Sequence, residues 1–200
     1  MKTLVIKRKN ADFDWKDIPA IELEYMNWTE WTDIQTWVQI CYDDEGMYLR
    51  FEAKEAHIRA EFKEPLGTPC LDSCFEFFFS PILGDDRYLN IEFNPNTCVH
   101  LGYGAPETDR VRLILHSVQD RLHPQVNYTE TGWVLTYKVP FEYINMFFPE
   151  FTPKSGLEFR GNFYKCGDKT PKRHYLAWNP VTSSGPNFHR PVDFGALILE

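Results

Sequence analysis

Asp72-Ser73-Cys74-Phe75-Glu76-Phe77-Phe78-Phe79-Ser80 sets the terms on which the neighbouring segments read. In an extended backbone, successive side chains point to opposite faces. Phe75, Phe77 and Phe79 therefore share one face, and Cys74, Glu76 and Phe78 share the other. The next segment, Arg87 to Asn94, repeats the pattern with Leu89, Ile91 and Phe93 inward and Tyr88, Asn90, Glu92 and Asn94 opposite. Upstream, Thr36 to Lys54 reads as a hairpin turning at Asp43-Asp44-Glu45-Gly46, with Met47, Leu49, Phe51 and Ala53 aligned on one face. Downstream, Val111 to Val118 reads as a strand. Gln125 to Val139 reads as a second hairpin, turning at Thr129-Glu130-Thr131-Gly132 and aligning Trp133, Leu135, Tyr137 and Val139. Leu157 to Cys166, His174 to Trp178 and Phe194 to Leu199 complete about ten strands. Pro140 to Asn145 reads as one short helix, because proline has no N–H to lose in a first helical turn. Strands of this number and length predict an all-β, single-domain antiparallel β-sandwich over residues 1–200.

A chain of 200 residues buries roughly 70% of its unfolded surface and needs no staples. The net charge of −8 comes without a basic stripe, which argues against nucleic acid and anionic membrane as partners. No apolar run reaches the length of about 18 residues that spans a bilayer. The apolar stretch Leu4-Val5-Ile6 is bounded by charge and is too short for a secretory leader, so a cytoplasmic location is expected. Sixteen Phe, ten Tyr and six Trp exceed the needs of one core and point to a surface that meets something flat. Trp133 and Trp37 read as core, whereas Trp28 and Trp31, in an acidic irregular segment, read as cover for a sheet edge.

Cys41, Cys70, Cys74, Cys98 and Cys166 are odd in number and scattered, unlike a disulfide framework. They read as small buried hydrophobes. The CxxxC spacing of Cys70 and Cys74 lacks the second pair and nearby His of a metal site. The acidic turns at Asp43 and at Asp85-Asp86 follow no calcium-loop spacing and read as turn chemistry.

The polar strand faces carry the functional signal. If their strand faces meet, Glu76, Asn90, Glu92, Arg160 and Asn162 form a row of carboxylate, amide and guanidinium groups, which can hold two neighbouring sugar hydroxyls at once. Trp178 ends a strand before Asn179-Pro180, a place from which an indole can stack on the apolar face of a pyranose. Signals for catalysis are weak, so the chain is not expected to be an enzyme. It has no nucleophile elbow, phosphate loop or HExxH. Glu76, Glu92 and Glu158 supply the only carboxylates suggestive of a glycosidase pair.

Several segments together resemble the family 9-like carbohydrate-binding modules. They are Leu71 to Pro81 with its DSxEFF-type strand, Tyr88 to Asn94, Gly102-Tyr103-Gly104, Tyr175 to Pro180, Phe188 to Pro191 and Phe194 to Leu197. The resemblance covers roughly residues 15 to 200. It implies a jelly-roll-like sandwich related to DOMON-type ligand-binding domains, with a mono- or oligosaccharide as partner. In xylanase-attached members two Trp rings clamp a terminal sugar. Trp178 matches one of those positions and Cys70 stands near the other. Glu76 matches a sugar-bonding carboxylate, and Asn90 stands near the position of a sugar-bonding Arg. No cofactor is expected beyond the structural calcium that the resemblance implies. The DOMON relationship also raises the alternative of haem or another small molecule, with His100, His116 and His174 as candidate axial ligands.

Overall fold

The computed structural model describes residues 1–29, 33–106 and 110–200; Trp31 lies outside them. Its strands are β1 (Thr3–Arg8), β2 (Ile21–Glu22), β3 (Tyr25–Met26), β4 (Gln35–Tyr42), β5 (Gly46–Lys54), β6 (Cys74–Ser80) and β7 (Tyr88–Phe93). They continue as β8 (Val99–Gly104), β9 (Val111–Leu113), β10 (Gln125–Tyr128), β11 (Gly132–Pro140), β12 (Glu158–Gly167), β13 (His174–Ala177) and β14 (Gly195–Leu199). Two five-residue helices, α1 (Val118–Leu122) and α2 (Phe141–Asn145), complete the α content.

The strands follow one path, β10-β11-β5-β4-β1-β14-β12-β6-β7-β8-β9, which curls into two packed layers. β1 joins the layers, pairing in parallel with β4 on one side and β14 on the other. The remaining ladders are antiparallel, including the hairpins at Asp43 and Thr129. In the first turn the Asp43 carboxylate accepts from the Glu45 N–H at 2.8 Å, which is turn chemistry and not a cation site. The expected helix after Pro140 is present as α2. The strand expected over Val111 to Val118 stops at Leu113. Ser117 accepts from the Asp120 N–H and starts α1, which ends at His123 in a left-handed conformation; a Ser cap of this kind competes with strand pairing.

Alternation along the strands sorts the aromatics as the sequence predicts. Phe75, Phe77 and Phe79 of β6 meet Phe51 of β5 and Trp133 and Tyr137 of β11 in the interlayer core. The Phe51 and Phe75 rings lie 5.0 Å apart, and those of Phe75 and Trp133 4.2 Å. Each such ring stabilises the fold by roughly 1.5–3 kcal/mol relative to exposure. Trp37 departs from expectation: it faces outward, half-buried, under the Lys54 ammonium.

A polar cluster sits within this core side. Glu55 accepts from Ser73 Oγ at 2.6 Å and Trp133 Nε1 at 3.0 Å, and pairs with the fully buried Lys165 ammonium at 3.1 Å. Lys165 Nζ also lies 2.7 Å from His174 Nε2, while His174 Nδ1 lies 2.7 Å from the Lys172 carbonyl. The carbonyl requires the proton on Nδ1, so Nε2 accepts from Lys165 and the ring is neutral.

Candidate functional site

The opposite face of β6, β7 and β12 carries a second polar group. Glu76 of β6 stands directly across from Glu92 of β7 on one side and Tyr164 of β12 on the other. One step along, Phe78 stands between Asn90 and Asn162. Period-two alternation thus delivers Glu76, Asn90 and Glu92 to one patch, as the sequence predicts. Both carboxylates are almost wholly covered, Glu76 being 3% and Glu92 5% exposed.

The patch is ordered from beneath. Asn90 Nδ2 donates to Glu92 Oε1 at 2.9 Å. The Arg110 guanidinium donates to Asn90 Oδ1 and lies 3.9 Å over the Tyr88 ring. Gly102 is required opposite Asn90, because a Cβ there would fall 2.3 Å from Asn90 Oδ1. Cys166 Sγ donates to Glu76 Oε1 at 2.8 Å. Burial, and then the Glu92 charge, push the Glu76 carboxyl well above its ordinary range. Burial likewise raises Glu92 to about 7, against the opposing pull of the Asn90 hydrogen bond and of Arg112 and Arg110. The pair therefore keeps a proton near neutrality and offers a hydroxyl-like donor beside carboxylate acceptors.

Above this floor is a hollow of about 250 Å³. Its aromatic wall is Trp28, Tyr175 and Phe188. The Trp28 ring sits 5.4 Å from that of Tyr175 and 5.3 Å from that of Phe188, and its Nε1 donates to the Ser183 carbonyl at 2.7 Å. Phe188 in turn stacks on Tyr164 at 4.0 Å. Trp28 is held at φ +54°, a left-handed conformation that costs a non-glycine residue about 1 kcal/mol and clusters at functional sites. His100 and His189 also line the hollow. Burial lowers each to about 4, so both rings are neutral at physiological pH and can donate and accept.

Two buried aspartates pin the loops around the opening. Asp72 accepts from the Glu61 and Phe62 N–H groups and Asn94 Nδ2, and pairs with Arg59. Asp193 accepts from Thr182 N and Oγ1 and from Arg190 Nε, clasping the segment that presents Phe188 and His189.

Three predicted residues stand elsewhere. Trp178 is not an open platform: it is 3% exposed and its ring meets Phe163 at 5.7 Å in the core. The cause is register. Ala177 pairs with Tyr164, whose side chain lies on the hollow's side of the sheet beside Glu76, so the next residue points to the other face. Asn162 shares the hollow's strand face but is fully buried, with Nδ2 donating to the Asn179 carbonyl and Oδ1 accepting from the Asn179 N–H. Arg160, opposite Ser80 and Ala196, lies beyond the hollow and pairs with Glu158 at 3.7 Å. Sequence reasoning did not assign Trp28, Tyr175, Phe188 or Arg110 to the site, and named His100 only as a candidate axial ligand. Trp28 and Phe188 sit in irregular segments without periodicity, where composition alone gives a signal.

Of the histidines considered as axial ligands, His174 has both nitrogens engaged, and His116 lines a separate groove beside Tyr143 and Met146. Calcium takes six to eight oxygen ligands. Among the described residues, the side chains that meet with metal-ligand spacing are Cys74, Glu76 and Cys166, a thiol-rich set that does not fit calcium. No helix among the described residues is long and apolar enough to cross a membrane.

No curated protein matches this chain by sequence. Among solved structures, a candidate carbohydrate-binding protein from Bacteroides uniformis ATCC 8492 is 28% identical, with a TM-score of 0.84 over 100% of this chain and 99% of that one. A carbohydrate-binding module family 9 protein from Caldicellulosiruptor kristjanssonii, in complex with glucose, is 13% identical with a TM-score of 0.71, covering 100% of this chain and 96% of that one. Its complex with cellotriose gives the same identity and TM-score, covering 100% and 94%. At that identity the likeness concerns the fold. The profile of carbohydrate-binding family 9 matches residues 8–199. The two curled layers, the paired glutamates on the outer face and this nearly end-to-end match agree, and the chain belongs to carbohydrate-binding family 9, whose modules bind carbohydrate without catalysis.

Proposed function

We propose that this chain is a non-catalytic carbohydrate-binding module acting as one unit over residues 1–200. It takes a monosaccharide or the end of an oligosaccharide in the hollow above Glu76 and Glu92. The observation that carries this reading is an aromatic wall of Trp28, Tyr175 and Phe188 standing over two adjacent buried carboxylates in one cavity. A pyranose has an apolar C–H face and a polar rim, and the hollow offers a ring surface for the first and paired donors and acceptors for the second. A volume of about 250 Å³ lies just below the usual range of ligand pockets and suits a single sugar ring. Glu76 and Glu92 project side by side from one floor. They do not flank a bond as a hydrolytic pair does.

Calorimetric titration with a panel including glucose, cellobiose and cellotriose tests this. Binding is expected, and Trp28→Ala is expected to weaken it at least tenfold, about 1.4 kcal/mol. Absence of heat from every sugar at millimolar concentration, or unchanged affinity in both Trp28→Ala and Glu76→Gln, would overturn it.

A further inference from the structure

Beneath the hollow, Cys74 of β6 and Cys166 of β12 stand directly opposite each other. Glu76 is two residues along from Cys74, so all three side chains share the outer face of the sheet. All three are buried, and their two Sγ atoms and a carboxylate oxygen lie within 4.8 Å of one another. We propose that Cys74, Cys166 and Glu76 form a binding site for a thiophilic divalent cation of the zinc class, placed at the floor of the hollow.

The donor set selects the metal class. Two thiolates and one carboxylate suit a borderline-soft cation and disfavour calcium or magnesium, which take oxygen ligands. Zinc bonds sulfur at about 2.3 Å and carboxylate oxygen at about 2.0–2.2 Å. A tetrahedral centre with those bonds separates its ligand atoms by roughly 3.5–3.8 Å, within reach of the observed cluster after small side-chain rotations. The ligands come from two adjacent strands of a continuous ladder, which fixes them more firmly than loops would. The nearest charges favour a cation, against the weaker opposing fields of Lys165, Arg110 and Arg112. Glu92 stands beside Glu76, Asp168 also lines the hollow, and among the described residues neither Glu76 nor Glu92 forms an ion pair. Access is open as well, because Glu76, Cys166 and Cys70 line the hollow. The hollow gives water access to complete the shell. Binding displaces the two thiol protons and the proton that Glu76 carries, all of which leave to solvent, so the three groups ligate as two thiolates and a carboxylate.

Cobalt serves as the probe. The full-length protein, reduced and freed of metal by chelation, is titrated with Co²⁺ and followed by absorption. One equivalent is expected to produce a thiolate-to-cobalt charge-transfer band, and Zn²⁺ is expected to bleach it and to raise the melting temperature of the wild-type protein. Cys74→Ser and Cys166→Ser should each lose the band, and Cys98→Ser, which alters a cysteine elsewhere in the fold, should retain it. Absence of the band in the wild-type protein at excess Co²⁺ overturns the proposal without recourse to any variant. So does an identical band in the Cys74→Ser/Cys166→Ser double variant. Trp28→Ala removes one ring of the aromatic wall and leaves these ligands intact, so the band survives there even if no sugar binds.

Discussion

The sheet layer that holds β6 and β12 has a buried polar cluster on each of its faces, and the two clusters are opposites. On the core side Glu55 is matched: Lys165 supplies a full charge, and Ser73 and Trp133 supply hydrogen bonds. Burial opposes its ionisation, but the Lys165 charge and these bonds outweigh burial and hold it below its ordinary range. On the outer side Glu76 and Glu92 face each other, and burial drives both upward. A polar group satisfied by the protein itself has little left to offer a ligand. One left short of partners carries a cost in the free protein that an incoming donor can relieve. The contrast therefore separates scaffold from site more sharply than burial does, since both clusters are equally covered.

The largest effect expected from breaking this contrast is on the matched side. Lys165→Met leaves Glu55 as an uncompensated buried charge and should cost about 3–5 kcal/mol in urea unfolding. Lys165→Met combined with Glu55→Leu should recover much of that loss. If the single variant unfolds like wild type, Glu55 is not held as a charge and the contrast collapses.

Acid titrates the same cluster. Burial, reinforced by the Lys165 ammonium, lowers His174 from 6.5 to about 3. Between those values the unfolded chain binds a proton that the folded chain refuses, so stability falls as pH drops through this window and levels off below it. Glu55, held low, adds to the loss as pH falls through the carboxylate range. Urea midpoints should decline from pH 7 to pH 5 in the wild-type protein and decline less in His174→Gln. Equal slopes would place the titrating group elsewhere.

On the unmatched side the sign reverses. Glu92→Gln removes a carboxylate that burial disfavours, and its amide oxygen can still accept from Asn90. It should stabilise the protein at pH 8 by on the order of 1–2 kcal/mol and weaken sugar binding severalfold. A variant that is destabilised while binding normally would make Glu92 scaffold, like Glu55.

The sequence exposes one part of this arrangement and hides another for a physical reason. Alternation within a strand is local, so Phe75, Phe77 and Phe79 could be assigned to the core and Glu76, Asn90 and Glu92 to one face from their spacing alone. Which strand lies beside which, and in what register, is not local. Trp178 illustrates the cost: its strand was legible, but its face depends on Ala177 standing against Tyr164. The thiol cluster is hidden in the same way, because Cys74 and Cys166 meet across a ladder that joins residues 92 positions apart in sequence, as Cys166↔Cys74. Trp28 has no strand period at all. Its left-handed backbone and its partners Tyr175 and Phe188 come from three separate segments.

The smallest expected effect separates the hollow from the strand face that contains it. Arg160 and Glu76 lie on the same side of the sheet, and from sequence the guanidinium looks as ready for a sugar hydroxyl as the carboxylate. In the fold Arg160 stands at the far end of β12 with Glu158 as its partner, a surface pair of the kind worth about 0–1 kcal/mol. Arg110, by contrast, is folded onto Tyr88 and bonded to Asn90 within the site. Arg160→Ala should therefore change stability by less than about 0.5 kcal/mol and leave sugar affinity within about twofold of wild type, whereas Arg110→Ala should weaken binding by disordering Asn90. Should calorimetry instead find Arg160→Ala the more damaging of the two, sugar contacts extend along the whole outer face of β12, and the hollow is only one end of the site.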